Sequence, residues 1–208
     1  ALRSLWRVCG ELPLEDGVLR DEAGSIAWDL RNLFNRIESM ALVRAGRRRE
    51  PYWRLVLDYC VSGGLSAVLD EYAHVLRDLR GLFDLPPQET AREIAAAMRE
   101  ALSLRTSNPE VDELRVNGSD VERERKTLRG HFAMRFGSER TEDGTGVQRD
   151  DQVRQAFNSP FRPFVLASTS IGQEGLDFHG YCHRVWHWNL PRNPVDLEQR
   201  EGRVNRYK

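Results

Sequence analysis

Gln199, Arg203 and Arg206, close to the carboxyl end of the chain, have the residue types and spacing for work on a phosphate group. They lie in the run Asn193-Pro-Val-Asp-Leu-Glu-Gln-Arg-Glu-Gly-Arg-Val-Asn-Arg206, which starts like a helix. Asn193 is a good N-cap, and Pro194 suits the first helical position because its missing N–H has no intrahelical partner there in any case. At about 100° per residue, Leu197 and Val204 fall on one side and Gln199, Arg203 and Arg206 on the other. A guanidinium pairs with phosphate oxygens in bidentate fashion and stays charged at any physiological pH, so this face suits a polyphosphate. A solvated charged face would show the same residues. The residues that precede the helix decide between the two.

Those residues are Leu166-Ala-Ser-Thr-Ser-Ile-Gly-Gln-Glu-Gly-Leu-Asp177. A buried strand over Phe164 to Ser168 runs into a loop where Ser168, Thr169 and Gly172 offer hydroxyls and bare backbone N–H groups. Small polar residues at the carboxyl end of a parallel strand are where α/β sheets take ligands, and such donors hold nucleic-acid phosphates without reading base sequence. Gly175 permits close backbone approach, and Asp177 can accept from a ribose hydroxyl or orient an arginine. A third stretch, Val68-Leu-Asp-Glu-Tyr-Ala-His74, imitates the DEAH box that holds Mg²⁺ in helicases. Its spacing is one residue too long, its apolar residues recur at helical period, and Asp70 and Glu71 are expected on the solvated side of a packed helix. It is not half of a zinc site either, because a His at its first position is missing.

The elements that must position these groups divide into two sets. Up to about residue 106 the pattern is helical. Ile26, Leu30, Leu33, Phe34, Ile37 and Ala41 mark one buried face, with Gly46 as a stop and Arg47 to Arg49 in an exposed turn. Tyr52 to Val61 fits helix or strand. Leu65, Val68, Leu69, Tyr72, Leu76 and Leu79 predict a helix ending at Gly81, and Thr90 to Leu104 another. Residues 107–129 are polar and poorly patterned, with Asn108-Pro109 and Asn117-Gly118 as turn signals, and are read as a boundary. From 130 to 208 the pattern alternates: strand at Gly130 to Phe136, polar loop at Gly137 to Asp150, short helix at Asp151 to Asn158, strands at Phe164 to Ser168 and Arg184 to Asn189, then the last helix. This order predicts an α/β fold with a parallel sheet flanked by helices.

Composition bounds the partners. The net charge of −1 means that any nucleic-acid site must be a local patch. No apolar run approaches the roughly 20 residues that cross a bilayer. Three cysteines, Cys9, Cys60 and Cys182, give neither a disulfide framework nor a CxxC metal pair, so a reducing, cytoplasmic setting and no metal site are expected. Lys126 and Lys208 are the only lysines, and no Gly-Lys-Ser/Thr tripeptide occurs. The chain therefore cannot cradle ATP phosphates in the P-loop manner.

The loop at Ser168 to Asp177, the aromatic-rich stretch ending at Asn189-Leu-Pro191, and Asn193-Pro194 followed by Gln199-x-x-Gly202-Arg203-x-x-Arg206 together resemble the second RecA-like lobe of superfamily-two helicases, where they are motifs V and VI. The spacing resembles Swi/Snf-type translocases rather than DEAD-box proteins. The nearest likeness is to the bacterial RNA-polymerase-associated Swi/Snf-type ATPase and to bacterial helicase-like proteins, some from phage defence. It covers residues 130 to 208.

The resemblance implies a part for each residue. Arg203 and Arg206 would reach a γ-phosphate held on a first lobe, with Gln199 placing them. Gly175, Asp177 and Gly202 would couple nucleotide and nucleic-acid sites, and Ser168, Thr169 and Gly172 would meet the nucleic-acid backbone. It implies ATP and Mg²⁺ as cofactors held mainly by that first lobe, and double-stranded DNA and the first lobe as partners. The strand expected to open the second lobe is not evident, and the chain stops just after motif VI, as an excised fragment would. The chain alone is then expected to be inactive as an ATPase. A non-catalytic nucleic-acid- or protein-docking module derived from such a lobe is the alternative.

Overall fold

A computed structural model of the chain describes residues 1–10, 12–45, 50–104, 110–117, 120–127, 133–136, 145–168 and 180–202. The chain forms two compact units, Ala1–Ser103 and Leu104–Lys208.

The first unit is helical: α1 (Leu2–Cys9), α2 (Gly17–Phe34), α3 (Ile37–Val43), α4 (Tyr52–Ser62), α5 (Leu65–Leu79) and α6 (Pro87–Ser103). Each boundary has a local cause. The Asp16 side chain accepts the Leu19 N–H at 3.0 Å and caps α2. Pro87 opens α6, with the Thr90 N–H donating to the Pro86 carbonyl at 2.9 Å. Gly81, at φ 63°, ends α5 in the left-handed conformation. There the Leu82 N–H closes on the Arg77 carbonyl at 3.0 Å, and buried Leu82 completes the stop.

The core lies where α2 and α6 pack together and α1 covers α5 and α6. Leu5, Leu19, Ile26, Ala73, Ala91, Ile94 and Ala95 have no solvent exposure at all. Alanines at 91, 95, 97 and 101 bring α6 close to its neighbours, and Met98 fills what they leave.

The single helical face expected from Ile26 to Ala41 is two helices. Asn35 and Arg36 break it, and the Arg36 guanidinium donates to the Leu102 carbonyl at the end of α6 at 2.8 Å. Beyond that break Ile37 is 66% exposed and Ala41 is exposed, so the face stops at Phe34. Tyr52 to Val61, open between helix and strand, is helix. The Tyr52 hydroxyl donates to the Phe34 carbonyl, and the Tyr59 ring meets the Phe34 ring edge-on with centroids 6.1 Å apart. Glu71 is exposed as expected, whereas Asp70 is not on a solvated face. Its carboxylate is ion-paired with Arg7 of α1 and is mostly covered.

The second unit opens with an antiparallel hairpin, β1 (Glu110–Asn117) and β2 (Asp120–Thr127), in the stretch read as poorly patterned. Asp112 stands opposite Arg125 and is ion-paired with Arg123 and Arg125, so cross-strand charge does what an apolar face does elsewhere.

Next come β3 (Ala133–Phe136), α7 (Thr145–Phe157) and β4 (Val165–Ser168). β3 and β4 are parallel, running from Ala133 opposite Val165 to Phe136 opposite Ser168, with α7 as the crossover. Leu104, Val153 and Ala156 form a buried cluster with Phe157, Leu166 and Cys182 against it. α7 starts at Thr145, earlier than the Asp151 expected, so part of the predicted loop is helix.

The described residues hold one parallel pair rather than the flanked sheet that the alternation implied. The predicted strand at Arg184 to Asn189 is a correction: this stretch has no strand partner among the described residues, and Trp186 and Trp188 are 86% and 102% exposed. The last helix, α8 (Pro194–Gly202), follows. Among the described residues no helix is long and apolar enough to cross a membrane.

Candidate functional site

β3 and β4 end in register, at Phe136 and Ser168, so the chain leaves both strands at one edge of the pair. That edge is the carboxyl end of parallel strands, where open α/β sheets take ligands. Ser168 is the last residue of β4. Thr169, Gly172, Gly175 and Asp177 follow it and lie outside the described residues.

α8 begins where the sequence predicts. The Asn193 side chain accepts the Val195 N–H at 3.1 Å, the Asp196 N–H donates to the Asn193 carbonyl at 3.2 Å, and Pro194 occupies the first helical position. Gln199 is exposed. Gly202 closes α8, and a Cβ placed there would meet nothing within 4 Å. Its glycine is therefore not required by packing among the described atoms.

Arg203 comes directly after Gly202 and Arg206 three residues later, with Val204 between them; all three are outside the described residues. The apolar back expected of this helix is not a packed one. Leu197 is half-buried, and no residue of α8 is buried.

Three residues that sequence reasoning passed over, His187, Arg200 and Glu201, make two contacts around α8. Arg200 Nη1 donates to the Asn189 carbonyl at 3.1 Å, and His187 Nε2 stands 3.5 Å from Glu201 Oε1. The second pair is within ion-pair distance, but His187 Nε2 makes no hydrogen bond. The available signal was the alternation Trp186-His187-Trp188, which puts a lone polar ring on the side opposite two indoles. In the first unit Asp70, Glu71 and His74 do not assemble into a site. His74 Nδ1 is 2.7 Å from the Asp70 carbonyl oxygen one turn back on α5. Among the described residues no group of three or more His, Cys, Asp or Glu is placed to hold a metal ion.

Residues 119–208 match the family model described as the helicase conserved C-terminal domain. That match supports a helicase C-terminal lobe. It begins one residue before β2, takes in the β3–α7–β4 unit and α8, and leaves the helical first unit outside. Domains of that description imply a RecA-like fold and in general bind nucleotide and nucleic acid. No curated protein matches the chain, and no solved structure matches it.

Proposed function

We propose that residues 130–208 are the second RecA-like lobe of an ATP-dependent, Swi/Snf-type translocase acting on double-stranded DNA. The observation that carries the reading is the coincidence of the matched lobe with two strands that end in register and a capped helix that ends immediately before Arg203. Ser168, Thr169 and Gly172 meet the DNA backbone at the strand edge. Gly175, Asp177 and Gly202 couple that contact to Gln199, Arg203 and Arg206.

The residues of this chain do not make a nucleotide cradle. The sequence has no Gly-Lys-Ser/Thr, and the cations assigned to the phosphate, Arg203 and Arg206, are guanidinium groups that attract it without enclosing it. ATP and Mg²⁺ belong, in this reading, to a first lobe. What Arg203 and Arg206 contribute is fixed positive charge at a phosphate as its charge redistributes, an effect typically of ~10³–10⁵ in rate.

The test is phosphate release by the purified 208-residue chain with ATP, Mg²⁺ and duplex DNA, beside binding of labelled duplex measured by anisotropy. Binding that weakens with added salt and with Thr169→Ala, but no DNA-stimulated hydrolysis, is expected. DNA-stimulated hydrolysis by this chain alone would overturn the reading.

A further inference from the structure

A helix of nine residues that buries none of them, with Leu197 only half-buried, is held little by packing. Short helices owe most of their stability in proteins to an apolar face, and their last turn has unpartnered carbonyls and frays first. At its start α8 has the Asn193 cap. At its end it has two side chains, on consecutive residues, that reach back to the segment before the helix. Arg200 Nη1 donates to the Asn189 carbonyl at 3.1 Å, and Glu201 Oε1 faces His187 Nε2 at 3.5 Å. The imidazole is turned inward, its side chain 15% exposed, between two indoles that face solvent. Arg200 Nε and His187 Nε2 are buried without a hydrogen bond.

We infer that His187, Arg200 and Glu201 form a two-point clamp that fixes the last turn of α8, the turn that precedes Arg203 in the sequence. They are positioning residues: none touches a phosphate, and each acts through the backbone that carries the guanidinium groups. The significance of Arg203 rests on the function proposed above; the clamp itself does not.

Backbone amide exchange of α8 in the intact chain tests it, without nucleotide and with α7 as the internal reference. Arg200→Ala is expected to speed exchange in the last turn of α8 about fivefold, the effect of one net hydrogen bond, and Glu201→Ala and His187→Ala, which remove the 3.5 Å contact, to speed it by about twofold, with α7 unchanged. Arg200→Lys, which keeps a donor for the Asn189 carbonyl, and His187→Gln, which keeps a polar group facing Glu201, are expected to restore protection. The His187→Ala/Glu201→Ala double variant is expected to exchange no faster than either single variant. Unchanged exchange in the alanine variants, or equal acceleration in α7, overturns the clamp. Either result leaves the ATPase reading standing, because phosphate release tests that separately.

Discussion

The side-chain oxygen of Asn193 lies 3.1 Å from the backbone nitrogen of Val195 and holds the first turn of a helix none of whose residues is buried. Removing that acceptor has no packing to offset it. Asn193→Ala is expected to cost α8 about 1 kcal/mol, whereas Asn193→Asp or Asn193→Ser keeps an acceptor and costs a few tenths. Amide exchange at Val195 and Asp196 measures this. Equal exchange in Asn193→Ala and the parent chain would contradict the assigned cap.

In the helical unit the largest energetic response is expected where α2 and α6 meet, each contributing a fully buried isoleucine, Ile26 and Ile94. Ile94→Ala should destabilise the unit by about 3 kcal/mol, because the many alanines of α6 leave little that can relax into the space. Ile94→Val should cost about 1 kcal/mol. Denaturant unfolding followed by helical circular dichroism gives both values.

Acid should loosen the start of α2. The Leu19 N–H holds the Asp16 carboxyl below its ordinary range, aided by the Gln88 amide at 3.2 Å. A carboxyl with a depressed folded pKa adds stability that is present above the unfolded value near ~3.9, and that stability is lost as pH falls through the folded value. Melting temperature between pH 2 and 6 should therefore fall more steeply in the parent chain than in Asp16→Asn, whose cap does not titrate. Parallel curves for the two proteins would remove the assignment.

Burial raises the Cys9 thiol to about 11, against a smaller opposing pull from Arg77. At pH 8 its thiolate fraction is then on the order of a hundredfold below that of an ordinary thiol. Alkylation of the folded chain with iodoacetamide, mapped by peptide mass, should leave Cys9 largely unmodified until denaturant is added. Labelling at the free-cysteine rate would show that the α1–α5 contact is open.

The helices of the first unit were legible because their causes are local. Tyr72 and Leu76 at helical spacing, and Gly81 just past the end, fix α5 before any tertiary contact is known. The break at Asn35-Arg36 was not, because it depends on a carbonyl of Leu102 far along the chain. The β1–β2 hairpin escaped for another reason. Its pairing is carried by charge, as between Asp112 and Arg123, and a charged strand has no apolar period to read. The segment at Arg184 to Asn189 has the composition of a strand, and composition does not supply the neighbour a strand needs. For the site, the Asn193 cap, the exposure of Gln199 and the place of Ser168 at the end of β4 followed from the sequence. The contacts of His187 and Arg200 did not, since each is fixed by a partner across the turn before α8.

The exposure of the indoles has a spectroscopic consequence. All five tryptophans, Trp6, Trp28, Trp53, Trp186 and Trp188, are at least 40% exposed, and the last two are nearly or fully so. The folded chain should fluoresce much as the unfolded one does, with emission already near its aqueous maximum and accessible to iodide. Unfolding would then be almost silent in this signal. A blue shift on adding any candidate ligand would report that something had come to lie over those rings.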